Sequence, residues 1–367
     1  MHHGSSRKRF LESKSRITFL DGLRGLAITC VLLFHAYTRW PSLVPYGATF
    51  AGFPPAASGW LGVELFFMIS GFVILMTLEK CDGFIDFMLR RWLRLFPAML
   101  LCTLLIFFTA RFLPERPGGQ PVLLDVLPGL ALTDIGWGWI HPLPNPLDGS
   151  FWSLFVEVKF YAVFGAIYFL AGRSAAIWGL MLLFGLSQLP LLLIQIPTLE
   201  ALCKVLTYTT SQIESKYFSW FAAGALFYNY FVTRYLRQFL YATLCGVIAA
   251  LSISNYGIDI IAPLLIVIIF AVALISQKFQ YFLNNRIFQF IGFVSYPLYL
   301  IHQNMMIAMI IKVSKIAPWI PPPLLPLLPI LLLIILSWII AERLEKFVIT
   351  LIHTPYSRFR NLIGISN

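Results

Sequence analysis

The 367-residue chain is 59% hydrophobic and only 12% charged, with a mean hydropathy of +0.80. A soluble domain carries about 25% charged residues, and the apolar residues here fall in runs of about 20, the length that crosses a ~30 Å hydrocarbon core; a water-soluble globule is excluded. The net charge of +11 reads as the cytoplasmic Lys/Arg excess of a membrane protein rather than a nucleic-acid surface, and the five scattered cysteines, with no CxxC pair, indicate neither a disulfide framework nor a metal site.

Residues 1–16 form a basic tail, expected to be cytoplasmic. The first helix is expected over 17–38; it holds Asp21 and Arg24 and lacks a small-residue cleavage site, so it reads as a retained span and not a signal peptide. Further helices are expected over 59–78, 95–112, 151–171, 175–195, 217–232, 238–254, 258–276, 287–311 and 323–350. Pro41, Pro45, Pro114, Pro117 and Pro197 punctuate the gaps, and Pro321-Pro322-Pro323 opens the last helix, where a helix start tolerates proline. The gap 113–150, with Trp137, Trp139 and His141, has room for a short interfacial or re-entrant piece. Residues 351–367 are expected to be a second cytoplasmic tail, too short to encode a further domain.

The pattern predicts an all-α polytopic membrane protein of about ten helices, with both termini cytoplasmic and one membrane domain over 17–350. With the N-terminus inside, 18 Lys and Arg residues fall on the cytoplasmic side and 7 on the other. That is the positive-inside bias.

A charge at the centre of a helix in lipid costs about 2.5–3.5 kcal/mol on insertion scales. The chain nevertheless places Asp21, Arg24 and His35 in its first helix, Glu64 in its second, Glu157 and Lys159 in its fourth and His302 in its ninth. Arg24 and His35 are almost three turns apart, so they share a face about 16 Å apart along the axis. Counting from the helix ends puts His35, Glu64, Glu157 and His302 at one depth in the outer half. Two imidazoles and two carboxylates at one level form a candidate acid–base centre. Arg90, Arg91 and Arg94 cluster at the cytoplasmic end, where they serve either as a plain positive-inside anchor around Trp92 or, with Arg24, as a phosphate site.

Five segments resemble the motifs of the acyltransferase-3 family of integral membrane O-acyltransferases. These are Ile17–Ile28 continuing to Leu33-Phe34-His35, then Gly62–Phe72, then Phe87–Pro97, then Phe151–Tyr161, and finally Ile291–His302. They occur in the family's order over nearly the whole chain. Two positions depart from the pattern: Val158 stands where many members have a second acid, and Phe347 where a Glu-Lys-Pro ending is common.

The resemblance implies a bacterial inner-membrane enzyme with no permanently bound cofactor. Its co-substrate would be acyl-CoA, commonly acetyl-CoA, and its acceptor a hydroxyl of a glycan or glycolipid on the outer side. It implies a catalytic group of His35 with Glu64 or Glu157 as orienting carboxylate, a donor site of Arg24, Arg90, Arg91 and Arg94, and acceptor or supporting residues Trp152, Ser153, Tyr161, Tyr296 and His302. His35 as general base and His35 as transient acyl carrier both remain open. So do two rival classes, a secondary transporter and a scaffold whose charges only fix packing, together with a small-molecule hydroxyl as acceptor. Neither the acceptor nor the oligomeric state is legible.

Overall fold

The computed structural model describes residues 17–134, 146–193, 195–254 and 260–352. The tail 1–16, nearly all of 351–367, and Trp137, Trp139 and His141 lie outside these residues. Every described element is helical. Among the described residues, seven stretches are long and apolar enough to cross a membrane, or up to eight if a bent pair counts as one span.

The principal helices are α1 (Thr18–Tyr37), α2 (Gly62–Leu78, entered through the 3-10 turn Gly59–Leu61), α3 (Phe84–Ala110) and α4 (Phe151–Leu193). They continue with α5 (Glu200–Gln212), α6 (Phe218–Thr233), α7 (Leu236–Ser254), α8 (Ile261–Ile275), α9 (Gln277–Leu283), α10 (Arg286–Ile316) and α11 (Leu327–Ile339). The last runs on through the π-helical turn Ile340–Leu344. The 43 residues of α4 rise to about 65 Å if straight, roughly twice a hydrocarbon core. Gly172 breaks the run with φ 86° and ψ 174°, a conformation essentially confined to glycine. The two halves correspond to the expected helices 151–171 and 175–195.

All ten expected segments fall on helices, but boundaries differ. α3 begins at Phe84, eleven residues before the expected start, so Arg90, Arg91 and Arg94 lie within it. The amphipathic stretch 84–94 is too charged to register as an apolar run. The expected gap 196–216 contains α5, whose Glu200, Lys204 and Thr/Ser-rich end keep it below span apolarity. Between α8 and α9 the chain bends by 105°, where the Ser276 side chain accepts the Phe279 amide as an N-cap. α6 is short, at 16 residues, yet Phe218 through Asn229 are all buried. A helix buried all round belongs at the centre of a bundle.

Helix pairs in a membrane approach closely through small residues. A Cβ at Gly71 of α2 would overlap the Phe221 carbonyl of α6, and one at Gly224 of α6 would overlap the Met68 carbonyl of α2. The α1–α10 pair is built alike, with Gly25 against the Phe288 carbonyl and Gly292 against the Asp21 carbonyl. This contact matters for function because α1 carries His35 and α10 carries His302. Gly224→Ala should destabilise the bundle by about 1–3 kcal/mol, the usual penalty of overpacking. Thermal unfolding in detergent reads the difference against Gly185→Ala, a position where an added Cβ meets nothing within 4 Å.

Candidate active site

His35, on the last turn of α1, meets His302 of α10 edge to face, with ring centroids 4.6 Å apart. His302 Nδ1 is 2.7 Å from the Tyr299 carbonyl oxygen. A carbonyl only accepts, so Nδ1 carries the proton and Nε2 of the neutral ring is an acceptor. His35 Nδ1 lies 3.0 Å from the Val31 carbonyl oxygen and 3.2 Å from that Nε2; it is protonated and donates to both. The main chain thus assigns both tautomers. His35 Nε2 is left as a lone pair with no hydrogen-bond partner among the described residues, in a ring that lines a cavity of about 560 Å³. Should Nε2 take a proton, the Nδ1–H keeps its two acceptors, and the imidazolium is stabilised where it forms.

Glu64, in the first turn of α2, lines the same cavity and is 2% exposed. Its Oε2 is buried with no partner among the described residues, an unsatisfied acceptor in the cavity wall. No hydrogen bond joins Glu64 or Glu157 to His35 among the described residues; the orienting partners are His302 and the Val31 carbonyl. Trp152 is also in the wall, with Trp60, Tyr217 and Trp220. Aromatic faces interspersed with Arg39, Gln188, Lys216 and Gln303 give a surface that both stacks and hydrogen-bonds.

A second, narrower cavity of about 130 Å³ contains Arg24, Arg91, Arg94, Glu157, Tyr161 and Tyr296. Glu157 therefore lines the arginine cavity and not the one that His35 lines. Ser153, Glu157 and Tyr161 recur every fourth residue and form one helical face, and that face looks into the second cavity. Glu157 accepts from Ser70 Oγ at 2.5 Å and from the Tyr161 hydroxyl. Arg91 lies over the Tyr161 ring at 5.8 Å and Arg94 over Tyr296 at 5.7 Å. The Tyr296 hydroxyl donates to the Leu95 carbonyl, 3.0 Å away, which ties α10 to α3. Arg24 donates to Asp21 at 2.8 Å. Arg90 is not in this wall and pairs with Asp86 at 2.8 Å, so the expected four-arginine cluster resolves into three residues at the cavity and one beside it.

The sequence pattern does not single out Asp148, which is fully buried just before α4. Its Oδ1 accepts the Ser150 amide at 2.9 Å and its Oδ2 the Asn304 amide at 3.0 Å, two residues beyond His302. Asn304 in turn accepts the Gly118 amide at 2.9 Å, and the Arg116 guanidinium donates to the Leu147 carbonyl. Burial pushes the Asp148 carboxyl above the usual range, against the pull of those amides and of Arg116. The only local signal is Asp-Gly-Ser ahead of an apolar helix, a common turn. Asp148→Ala should leave the Ser150 amide unpaired at about 1–3 kcal/mol and remove the tie between the turn before α4 and the Asn304 amide of α10. Turnover should fall more than substrate affinity, with partial recovery in Asp148→Asn, as steady-state kinetics would show.

Fold and cavities together define a polytopic helical membrane protein with an ionisable centre inside it. Residues 17–342 match the acyltransferase domain family, and the chain belongs to that family. It is similar to a putative peptidoglycan O-acetyltransferase of Bacillus subtilis, 30% identical over 179 residues that cover 44% of this chain and 24% of the relative. It is also similar to an O-acetyl transferase of Shigella phage Sf6, 29% identical over 180 residues, 46% of this chain and 51% of the relative. A third relative is a peptidoglycan O-acetyltransferase of Listeria monocytogenes, 28% identical over 174 residues, 42% of this chain and 24% of the relative. The chain spans between about a quarter and a half of the length of these curated relatives. No solved structure matches it.

Proposed function

We propose that the protein is a membrane O-acyltransferase of the bacterial cytoplasmic membrane. In this reading it moves an acyl group, acetyl in the first place, from cytoplasmic acyl-CoA to a hydroxyl of a cell-envelope glycan or glycolipid on the outer side. The observation that carries the reading is the pairing of two cavities along α1: Arg24 lines the arginine cavity and His35 the aromatic one. Guanidinium groups suit the phosphates of CoA, and aromatic walls with amide and cationic donors suit a sugar. The Lys/Arg bias supports placing the arginine cavity inside. The three relatives are named for O-acetyl transfer, two of them on peptidoglycan.

In the proposed chemistry the nucleotide stays at Arg24, Arg91 and Arg94 while the pantetheine arm carries the thioester towards His35, about 16 Å along the helix. His35 Nε2 removes the acceptor's hydroxyl proton as oxygen attacks the thioester carbonyl. The carbon–sulfur bond breaks, and the imidazolium returns its proton to the leaving sulfur. His302 holds the His35 tautomer that this needs, as an orienter holds a general base. Glu64, with an unsatisfied oxygen in the wall of the same cavity, fits the orientation of the acceptor hydroxyl. The same lone pair can instead attack the thioester first. Release of one equivalent of CoA without acceptor marks that route, and release only with acceptor marks direct transfer.

The purified protein, incubated with acetyl-labelled acetyl-CoA and fragments of envelope glycan, should move the label to the glycan. A transporter would accumulate a solute in vesicles without moving label, and a scaffold would do neither; either result overturns the reading.

A further inference from the structure

We propose that Tyr299, latched to Ser153, is the partition between the two cavities and the residue that selects which acyl groups reach His35. This rests on the acyl-transfer reading above. Tyr299 and Val63 are the two described residues that line both cavities. The Tyr299 ring meets Phe66 edge-on at 5.9 Å and lies 5.3 Å from the His302 ring. Ser153 turns its hydroxyl to the Ser150 carbonyl at 3.4 Å, so the Tyr299 phenol donates to Ser153 Oγ across 2.7 Å. The ring is thereby held at the point where α10, α4 and α2 meet. Tyr299 is also the residue whose carbonyl sets the His302 tautomer. One residue thus closes the wall with its side chain and prepares the histidine pair with its main chain.

The arginine cavity holds about 130 Å³ against about 560 Å³ for the aromatic one. A thin arm fits there, and anything bulky at its end meets Tyr299 and Val63. The partition has a second consequence. A thioester at a leaking wall is attacked by water: water oxygen bonds to the acyl carbon, the carbon–sulfur bond breaks, and the proton goes to sulfur, giving a carboxylic acid and free CoA. With the phenol latched, the thioester reaches His35 while the bulk of the aromatic cavity is filled by acceptor.

Two rates test this, acyl transfer to glycan and acyl-CoA hydrolysis without glycan, measured for acetyl-CoA and butyryl-CoA. Loss of one neutral hydrogen bond corresponds to about a fivefold change, so Tyr299→Phe and Ser153→Ala should each raise the hydrolysis-to-transfer ratio by about that factor. Val63→Ala, which widens the passage and leaves the latch intact, should raise use of butyryl-CoA relative to acetyl-CoA. Unchanged ratios and unchanged chain preference in all three variants would overturn the proposal. Loss of transfer in Tyr299→Phe with neither ratio moved in Ser153→Ala or Val63→Ala would also overturn it, making Tyr299 a catalytic donor instead. If wild-type protein transfers no acetyl group, it is the parent reading that has failed.

Discussion

Replacing His35 with alanine should abolish transfer while expression and membrane insertion stay at wild-type levels. A general base contributes about 10²–10⁴-fold, and here the same nitrogen is the one lone pair of the histidine pair that faces the large cavity. His302→Ala should be milder. It removes an acceptor from His35 Nδ1 but leaves the Val31 carbonyl, 3.0 Å away, to hold the same tautomer. A loss of about one to two orders of magnitude is expected, the scale of one hydrogen bond to a charged group. His302→Gln, which can restore an acceptor, should recover part of it. Initial rates with saturating acetyl-CoA provide the comparison. Equal and complete loss in both alanine variants would mean that the pair acts as a unit; full activity of His35→Ala would remove the catalytic assignment altogether.

The second large effect concerns the arginines, and it separates the three at the cavity from the one beside it. Arg91→Glu and Arg94→Glu should each raise the KM for acetyl-CoA by about 10–100-fold, since a hydrogen bond to a charged group is worth about 1.5–3 kcal/mol. The KM for the acceptor should hardly change. Arg90→Glu should change neither KM by more than about twofold, because Arg90 lies outside the cavity wall and pairs with Asp86; the cost of unpairing that buried carboxylate, about 3–5 kcal/mol, falls on stability instead. If all three reversals act alike, the arginines serve topology alone. Accessibility labelling of both chain ends checks that insertion is undisturbed.

The fold was largely legible because lipid demands long apolar runs, and each of the ten expected segments falls on a helix. What escaped were features set by something other than apolarity. Residues 84–94 belong to α3 although four charges, Asp86 and three arginines, interrupt them, since that end of the helix lies beyond the apolar run. α5 is helical without being a span, because it satisfies its own backbone while carrying too many polar side chains to cross.

The site divides in the same way. The step of eleven positions from Arg24 to His35 fixes a shared face by helix geometry alone, and each residue lines a cavity. Glu157 lines the other cavity, which the sequence did not show because counting residues from a helix end gives depth but not direction. Its face, shared with Ser153 and Tyr161, turns towards Ser70 and the arginines. The meeting of His35 with His302 depends on how closely α1 and α10 approach, which Gly25 and Gly292 permit; a linear pattern shows the glycines but not their partners. Asp148 escaped because its role is to accept an amide 156 positions away, and no local pattern encodes that.

The central claim is that an acyl group passes from an arginine-lined cavity on one side to a histidine centre open to the other. Sealed proteoliposomes with right-side orientation test it most directly, with acetyl-labelled acetyl-CoA trapped inside and acceptor glycan added only outside. The account predicts label on the external glycan, free CoA retained in the lumen, and neither in vesicles carrying the His35→Ala variant. Label transfer only when donor and acceptor share a compartment would contradict it.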